Sequence, residues 1–156
     1  MVARREKRCD KVYIFDGDQH WGDGTQDIID RLKLTWLKQF HGPRTNATDY
    51  FKALDKAHTE VSGTDLVFYQ AGADIHVDDP LGGILTTCQM AERDEVLRYF
   101  AMSRPFVWNL AGGYQLDPKG KTAEQKLAPV VDLHIQTQRQ LCSGDGDIDL
   151  SDPEMD

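Results

Sequence analysis

Three short apolar runs set the rhythm of the chain. They lie at residues 11–17 (around Val12-Tyr13-Ile14-Phe15), at Asp65-Leu-Val-Phe-Tyr-Gln-Ala71 and at Pro105-Phe-Val-Trp-Asn-Leu-Ala111. Each is rich in β-branched and aromatic residues, so each predicts a strand, of the kind buried on both faces. Helical periodicity fills the intervals. From Thr48 to Val61 the residues Tyr50, Leu54, Ala57 and Val61 recur at i, i+4, i+7 and i+11, one stripe of a helix. A further helix spans about Thr87–Met102, opened by a Thr86–Gln89 capping box and turning Leu97, Phe100 and Ala101 inward. Asp23 and Gln26 form a similar box ahead of a short helix with Ile28, Ile29 and Leu32. A last helix is expected from near Pro129, which suits a first turn, to about Leu141. Leu34–Phe40 fits a strand or a helix equally well. His41-Gly42-Pro43 and Ser62-Gly63-Thr64 are breaks. Residues 1–9 read as the end of a polar helix or as an arm.

Strands that alternate with helices predict an α/β fold, a parallel sheet flanked by helices on both faces. With 156 residues the chain is long enough for one domain with a sizeable core. That domain is placed at 1–142. Residues 143–156 carry six acids and no base, the composition of a solvated, disordered tail. A calcium loop there is disfavoured because Leu150 stands where such a loop needs Gly. The formal net charge of −8 argues against gripping nucleic acid through phosphates. Three scattered cysteines, Cys9, Cys88 and Cys142, suit reduced thiols and a cytoplasmic setting. No apolar run reaches the length of a membrane span.

The chemistry gathers where the strands end. Asp16, Asp18 and His20 are spaced by two at the end of the first strand, and side chains at that spacing share a face. The second strand ends in Gly72-Ala73-Asp74 and the third in Gly112-Gly113-Tyr114. Open parallel sheets bind ligands beyond the carboxyl ends of their strands, so these loops meet at one edge. Asp18, His20 and Asp74 then offer two carboxylates and an imidazole, which with water make the open four-coordinate pattern of a catalytic zinc. A tyrosine hydroxyl nearby, that of Tyr114, can polarise a substrate carbonyl. An EF-hand over Asp16–Asp27 fails, since His20 and Trp21 occupy positions five and six and Asp27 ends the loop in place of Glu. A two-metal site would want an acid at Gly22, so one metal is expected.

These segments resemble the carboxyl-terminal half of the zinc-dependent histone deacetylase family, closest to the bacterial acetoin-utilisation proteins and acetylpolyamine amidohydrolases. The resemblance rests on Asp16-Gly-Asp-Gln-His-Trp-Gly-Asp-Gly-Thr25, on Tyr69-Gln-Ala-Gly-Ala-Asp-Ile-His-Val-Asp-Asp-Pro-Leu-Gly-Gly83 and on Leu110-Ala-Gly-Gly-Tyr114, in that order. It implies a three-layer arginase/deacetylase-like fold with its amino-terminal part missing. It implies Asp18, His20 and Asp74 as zinc ligands and Tyr114 as the phenol at the scissile carbonyl. It also implies Asp16 as part of a potassium site behind the metal, and Gly112 and Gly113 as the loop that places Tyr114. The implied reaction is hydrolysis of acetyl-lysine or of a small acylated amine.

One part of the family pattern is absent. The tandem histidine pair that serves as general base and acid has no counterpart, because the histidines here are 20, 41, 58, 76 and 134. His76, two residues past Asp74, is the candidate substitute. Met1-Val-Ala-Arg-Arg resembles the middle of a family helix, so a truncated frame, an internal start or a fragment is expected, with weak or no activity. The alternative is a non-catalytic, metal-binding remnant or interaction module of the same fold. Loss of a covering layer would leave an open sheet edge, inviting self-association.

Overall fold

The computed structural model describes residues 5–6, 8–20, 22–40 and 42–142. The acidic segment 143–156, together with Trp21 and His41, lies outside the described residues. Among them are four strands, β1 (Val12–Asp16), β2 (Leu37–Phe40), β3 (Leu66–Gly72) and β4 (Phe106–Ala111), and four helices, α1 (Asp23–Arg31), α2 (Ala47–Val61), α3 (Thr87–Ser103) and α4 (Ala123–Cys142). The ambiguous segment resolves as strand β2. All pairings are parallel, in the order β2-β1-β3-β4. Among the described residues no helix is long and apolar enough to cross a membrane.

The order reverses between β1 and β3. From β1 the chain steps outward through α1 to β2, then returns past β1 through α2 to β3 and continues through α3 to β4. Right-handed crossovers therefore put α1 on the face opposite α2 and α3. The core lies under α2 and α3. Tyr13 and Phe15 of β1 and Val67 and Tyr69 of β3 are fully buried there against Tyr50, Leu54, Leu97 and Phe100. Phe15 stacks on Phe40 with ring centroids 4.2 Å apart and meets Tyr69 edge-on. The predicted stripe of α2 is the buried one: Tyr50, Leu54, Ala57 and Val61.

Caps place the helix starts. Asn46 accepts the Asp49 amide at 2.9 Å, so α2 begins at Ala47, just ahead of the expected Thr48. The Thr86–Gln89 capping box forms as expected. Two expectations are corrected. The Asp23–Gln26 box does not form: Gly22 is the N-cap of α1, and Asp23 is already inside the helix with its carboxylate on the Gly24 amide. The last helix starts at Ala123 rather than near Pro129. A second Thr-x-x-Gln box starts it, in which Thr122 Oγ1 accepts the Gln125 amide at 3.2 Å and Gln125 Oε1 accepts the Thr122 amide at 3.3 Å.

A third correction concerns burial. The strands are not covered on both faces. Ile14, Phe68 and Val107 form one register row on the face away from α2 and α3, and Phe68 and Val107 are 41% and 50% exposed. The short α1 packs against β2, at the edge, and leaves that row uncovered. Phe15→Ala should accordingly cost about 3–5 kcal/mol, and Val107→Ala less than about 1 kcal/mol, in urea unfolding. Comparable losses would mean that both faces are packed.

Candidate metal centre

The crevice of an open α/β sheet lies where its strand order reverses, at the carboxyl ends of the flanking strands. Here those strands are β1 and β3. In register, Asp16 pairs with Gln70, and the Gly17 amide then donates to the Gln70 carbonyl at 2.9 Å, carrying the ladder one step further. Beyond that point the two chains turn toward each other. Gly72 allows this, because a Cβ there would lie 2.5 Å from the Asp18 Cα. Asp18 and His20 from the first loop thus come to face Asp74 from the second.

Each of Asp18, His20 and Asp74 offers one ligand atom, and these atoms lie within 4.8 Å of one another. His20 Nδ1 is 2.8 Å from Asp74 Oδ2 and 3.2 Å from Asp18 Oδ1. The other Asp74 oxygen, Oδ1, accepts the Gln19 amide at 3.0 Å, and Asp18 Oδ1 accepts the His20 amide at 2.8 Å. Asp74 is fully buried, whereas His20 is exposed on the solvent side. Burial first, and then the neighbouring Asp18 carboxylate, push the Asp74 carboxyl up to about 6, against the Gln19 amide and His20. Burial pulls the His20 imidazole down, but the hydrogen bonds and charges of Asp74 and Asp18 outweigh it and the net shift is upward.

An ion fits this donor set. Ligands about 2.1 Å from a tetrahedral ion are roughly 3.4 Å apart, and the His20 Nδ1 separations of 2.8 Å and 3.2 Å need to open only slightly to reach that spacing. The walls are glycine. Gly112, at φ +54°, stands so close that a Cβ there would be 2.7 Å from the Asp74 Cγ and 2.9 Å from Asp18 Oδ2. Gly113, at φ +108°, is equally constrained, by Val130 and by Ala73. Only residues that tolerate positive φ and lack a side chain pass this corner.

Asp16 stands behind the triad, buried, with its oxygens already engaged. Oδ1 accepts the Asp18 amide at 3.2 Å, Oδ2 accepts the Gln39 side-chain amide at 3.2 Å, and its carbonyl accepts Arg44 Nη2 at 3.0 Å. Burial raises its carboxyl, opposed by the Asp18 amide and the Arg44 charge. The Tyr114 side chain is half-exposed, and its main chain is pinned where its amide donates to Asp79 Oδ2 at 2.7 Å. His76 is buried with both nitrogens occupied: Nε2 is 3.0 Å from Thr87 Oγ1, and Nδ1 accepts the Asp78 amide at 3.2 Å.

Sequence reasoning missed Arg93 and Asp94, and took His134 as structural or solvated. Arg93 and Asp94 are fully buried and paired, Nε to Oδ1, at 2.9 Å. Arg93 Nη1 reaches the Gly72 carbonyl at 3.0 Å and the Gly17 carbonyl at 3.3 Å, the residues just ahead of the two ligand loops. Asp94 is closed off by the Tyr69 and Thr137 hydroxyls, each at 2.5 Å. The signal was positional. Arg93 continues the inward stripe of Leu97 and Phe100 by one turn, where a charged residue is out of place. His134 Nε2 lies 3.1 Å from the Gly112 carbonyl and steadies the glycine corner.

The fold has solved counterparts. An acetylpolyamine aminohydrolase from Burkholderia pseudomallei matches with a TM-score of 0.62 at 19% identity, over 90% of this chain and 46% of that one. The HDA15 HD domain matches with a TM-score of 0.61 at 18% identity, over 90% and 47%. An HDAC homolog complexed with SAHA matches with a TM-score of 0.54 at 16% identity, over 72% and 39%. The chain spans less than half the length of these structures and has the arginase/deacetylase-like fold of that part. No family model matches the sequence, and no curated protein matches it.

His134 gives this corner a pH dependence. Burial is the main cause of its lowered pKa; the Arg93 charge adds to it, while the Gly112 carbonyl opposes. Below the ordinary value of 6.5 the unfolded chain therefore binds a proton that the folded chain does not. The stabilisation is complete above that value and is lost as pH falls through the folded pKa. Urea unfolding from pH 7.5 to 5, as a set of about six titration points, should show a shallower acid-side loss in His134→Gln than in the wild type. Parallel curves would refute the assignment.

Proposed function

We propose that the chain carries the metal-binding side of a zinc-dependent amide hydrolase of deacetylase type, acting on acetylated lysine or on small acylated amines. One observation carries the reading: Asp18, His20 and Asp74 converge within 4.8 Å at the switch point of the sheet. Two carboxylates and one imidazole are a three-ligand donor set of the kind that leaves a zinc position open. The fold shared with an acetylpolyamine aminohydrolase and an HDAC homolog points to the same substrate class. A cytoplasmic location suits the three scattered cysteines.

In this reading Asp18, His20 and Asp74 hold the ion. Zinc in that place supplies Lewis acidity toward an amide carbonyl and acidifies water. Asp74, buried and hydrogen-bonded to the Gln19 amide, fixes the inner side, while His20 faces the solvent from which substrate arrives. Tyr114, on the loop shaped by Gly112 and Gly113, donates its phenol proton to the carbonyl oxygen as charge builds there. No tandem histidine pair exists in the chain, and His76 is tied to Thr87 and Asp78, so the proton acceptor for the attacking water comes from outside these residues.

That gap favours, as a second reading, a metal-binding module that turns nothing over. The two separate cleanly. Zinc titration should give one tight equivalent in the wild type and at least about tenfold weaker binding in Asp18→Ala and Asp74→Ala. Equal zinc content in all three would sink both readings. With zinc bound, an acetyl-lysine peptide and an acetylated polyamine are the substrates to assay. Turnover that Tyr114→Phe lowers by about 10²–10³ supports the hydrolase, and zinc binding without turnover supports the module.

The potassium ion implied beside Asp16 does not fit the residues present. Gln39 and the Asp18 amide hold the Asp16 carboxylate, and the Arg44 guanidinium, itself a fixed monovalent cation, holds its carbonyl. Thermal unfolding should be the same in potassium chloride and in tetramethylammonium chloride at equal ionic strength. A saturable, potassium-specific rise in Tm would restore the free cation.

A further inference from the structure

The least expected feature of the molecule is a buried ion pair in its interior, on helix α3. Arg93 and Asp94 have no solvent exposure. Burying two charges is costly, and an apolar pair of similar volume would usually serve stability as well or better. The geometry shows where the charge is used. One nitrogen, Nη1, is shared between the Gly17 and Gly72 carbonyls, at 3.3 Å and 3.0 Å. These carbonyls belong to different strands. Gly17 immediately precedes Asp18, and Gly72 stands two residues before Asp74.

The strand ladder stops short of this point. Its last β1–β3 bond runs from the Gly17 amide to the Gln70 carbonyl, while on its other side β3 stays paired with β4 to the end, with the Ala73 amide on the Ala111 carbonyl. The Gly17 and Gly72 carbonyls would otherwise lie buried without partners, which is costly. A guanidinium can span two acceptors on separate chains, because its donors are planar and fixed. Asp94 keeps it in that plane through Nε, and the Tyr69 and Thr137 hydroxyls hold Asp94 in turn. A Cβ on Gly17 would sit 3.5 Å from Nη1 and only 2.9 Å from the Tyr69 ring.

We infer that Arg93 is the positioning residue of the site. By holding the Gly17 and Gly72 carbonyls on one nitrogen, it sets the separation of the Asp18–His20 loop from the Asp74 loop. The Asp94, Tyr69 and Thr137 groups act one step further back, on the guanidinium. The inference deepens the proposed metal site and shares its ligand assignment, but the loop spacing it describes exists with or without an ion.

The test reads that spacing directly. The Gln19 amide, which donates to Asp74 Oδ1, crosses between the two loops, so its hydrogen exchange reports their contact in the metal-free protein. Arg93→Lys keeps the buried positive charge but cannot reach two carbonyls and Asp94 together. Its Gln19 protection should fall about tenfold more than the protection of the β1–β3 ladder amides, which tracks global stability. Thr137→Val, which loosens Asp94 without touching either carbonyl, should lower all these amides together. Cobalt(II) then serves as the spectroscopic probe: Arg93→Lys should bind it about tenfold more weakly, with an altered visible band, and Thr137→Val should leave the band unchanged. If Gln19 protection in Arg93→Lys merely follows global stability, or Thr137→Val gives the same selective loss, the inference is overturned. Should Arg93→Lys not fold, Arg93→Gln takes its place under the same criteria. Failure of the wild type to bind cobalt would count against the metal site alone, and the exchange result would still decide the role of Arg93.

Discussion

The parallel pairing of β1 with β3 is the constraint on which the rest depends. The two strands are neighbours only because the chain leaves β1, builds β2 at the edge and returns. That reversal opens a crevice, and the register places Asp16 opposite Gln70 at its lip. One step of slip would turn Phe15 and Tyr69 out of the core and carry the polar ends of the strands to the wrong face. The aromatic contacts of Phe15 with Phe40 and Tyr69 therefore fix more than the core. They hold the register that brings Asp18, His20 and Asp74 together.

Beyond the last ladder bond, backbone pairing no longer controls the geometry, and two other devices take over. Glycines remove bulk where chains must nearly touch: Gly72 against Asp18, and Gly112 against Asp74. A buried charge supplies the hydrogen bonds that the sheet no longer makes, through Arg93 to Gly17 and Gly72. Neither device works alone. Closely approaching chains without donors would bury bare carbonyls, and a guanidinium without glycines would have no room to lie between them. On the outer side Arg44 and Gln39 do the same for Asp16.

Much of this was legible in the sequence, for local reasons. Strand ends and the α2 stripe depend on neighbours in the chain, and they stand where pattern places them. The shared strand face expected of Asp16, Asp18 and His20 does not form, because β1 ends at Asp16 and the loop after it turns Asp18 and His20 to Asp74. Asp74 was legible because a buried strand ends just before it. The misses are non-local or concern competing signals. Pro129 looked like a helix start, but the Thr122–Gln125 box had already begun α4. Asp23 looked like a cap, but Gly22 lies against Asp16 and Gln39, and the helix starts from that glycine. Arg93 was invisible because a charge on an apolar stripe reads as an interruption of the pattern. Only the tertiary structure reveals the two carbonyls it serves. Phe68 and Val107 read as buried on both faces because apolarity indicates that a face is to be covered, not what covers it.

The same distinction bears on chemistry. Binding a metal needs donors that converge, and convergence is what a switch point and a glycine corner provide. Hydrolysing an amide also needs a proton acceptor on the water and a donor on the leaving amine. Among the described residues three imidazoles are committed elsewhere: His20 to the triad, His76 to Thr87 and Asp78, and His134 to the Gly112 carbonyl. The Asp18–His20–Asp74 cluster is built to close tolerance from inside the fold, by glycines and by a buried charge. With those imidazoles committed, binding and turnover are separable properties of the described residues.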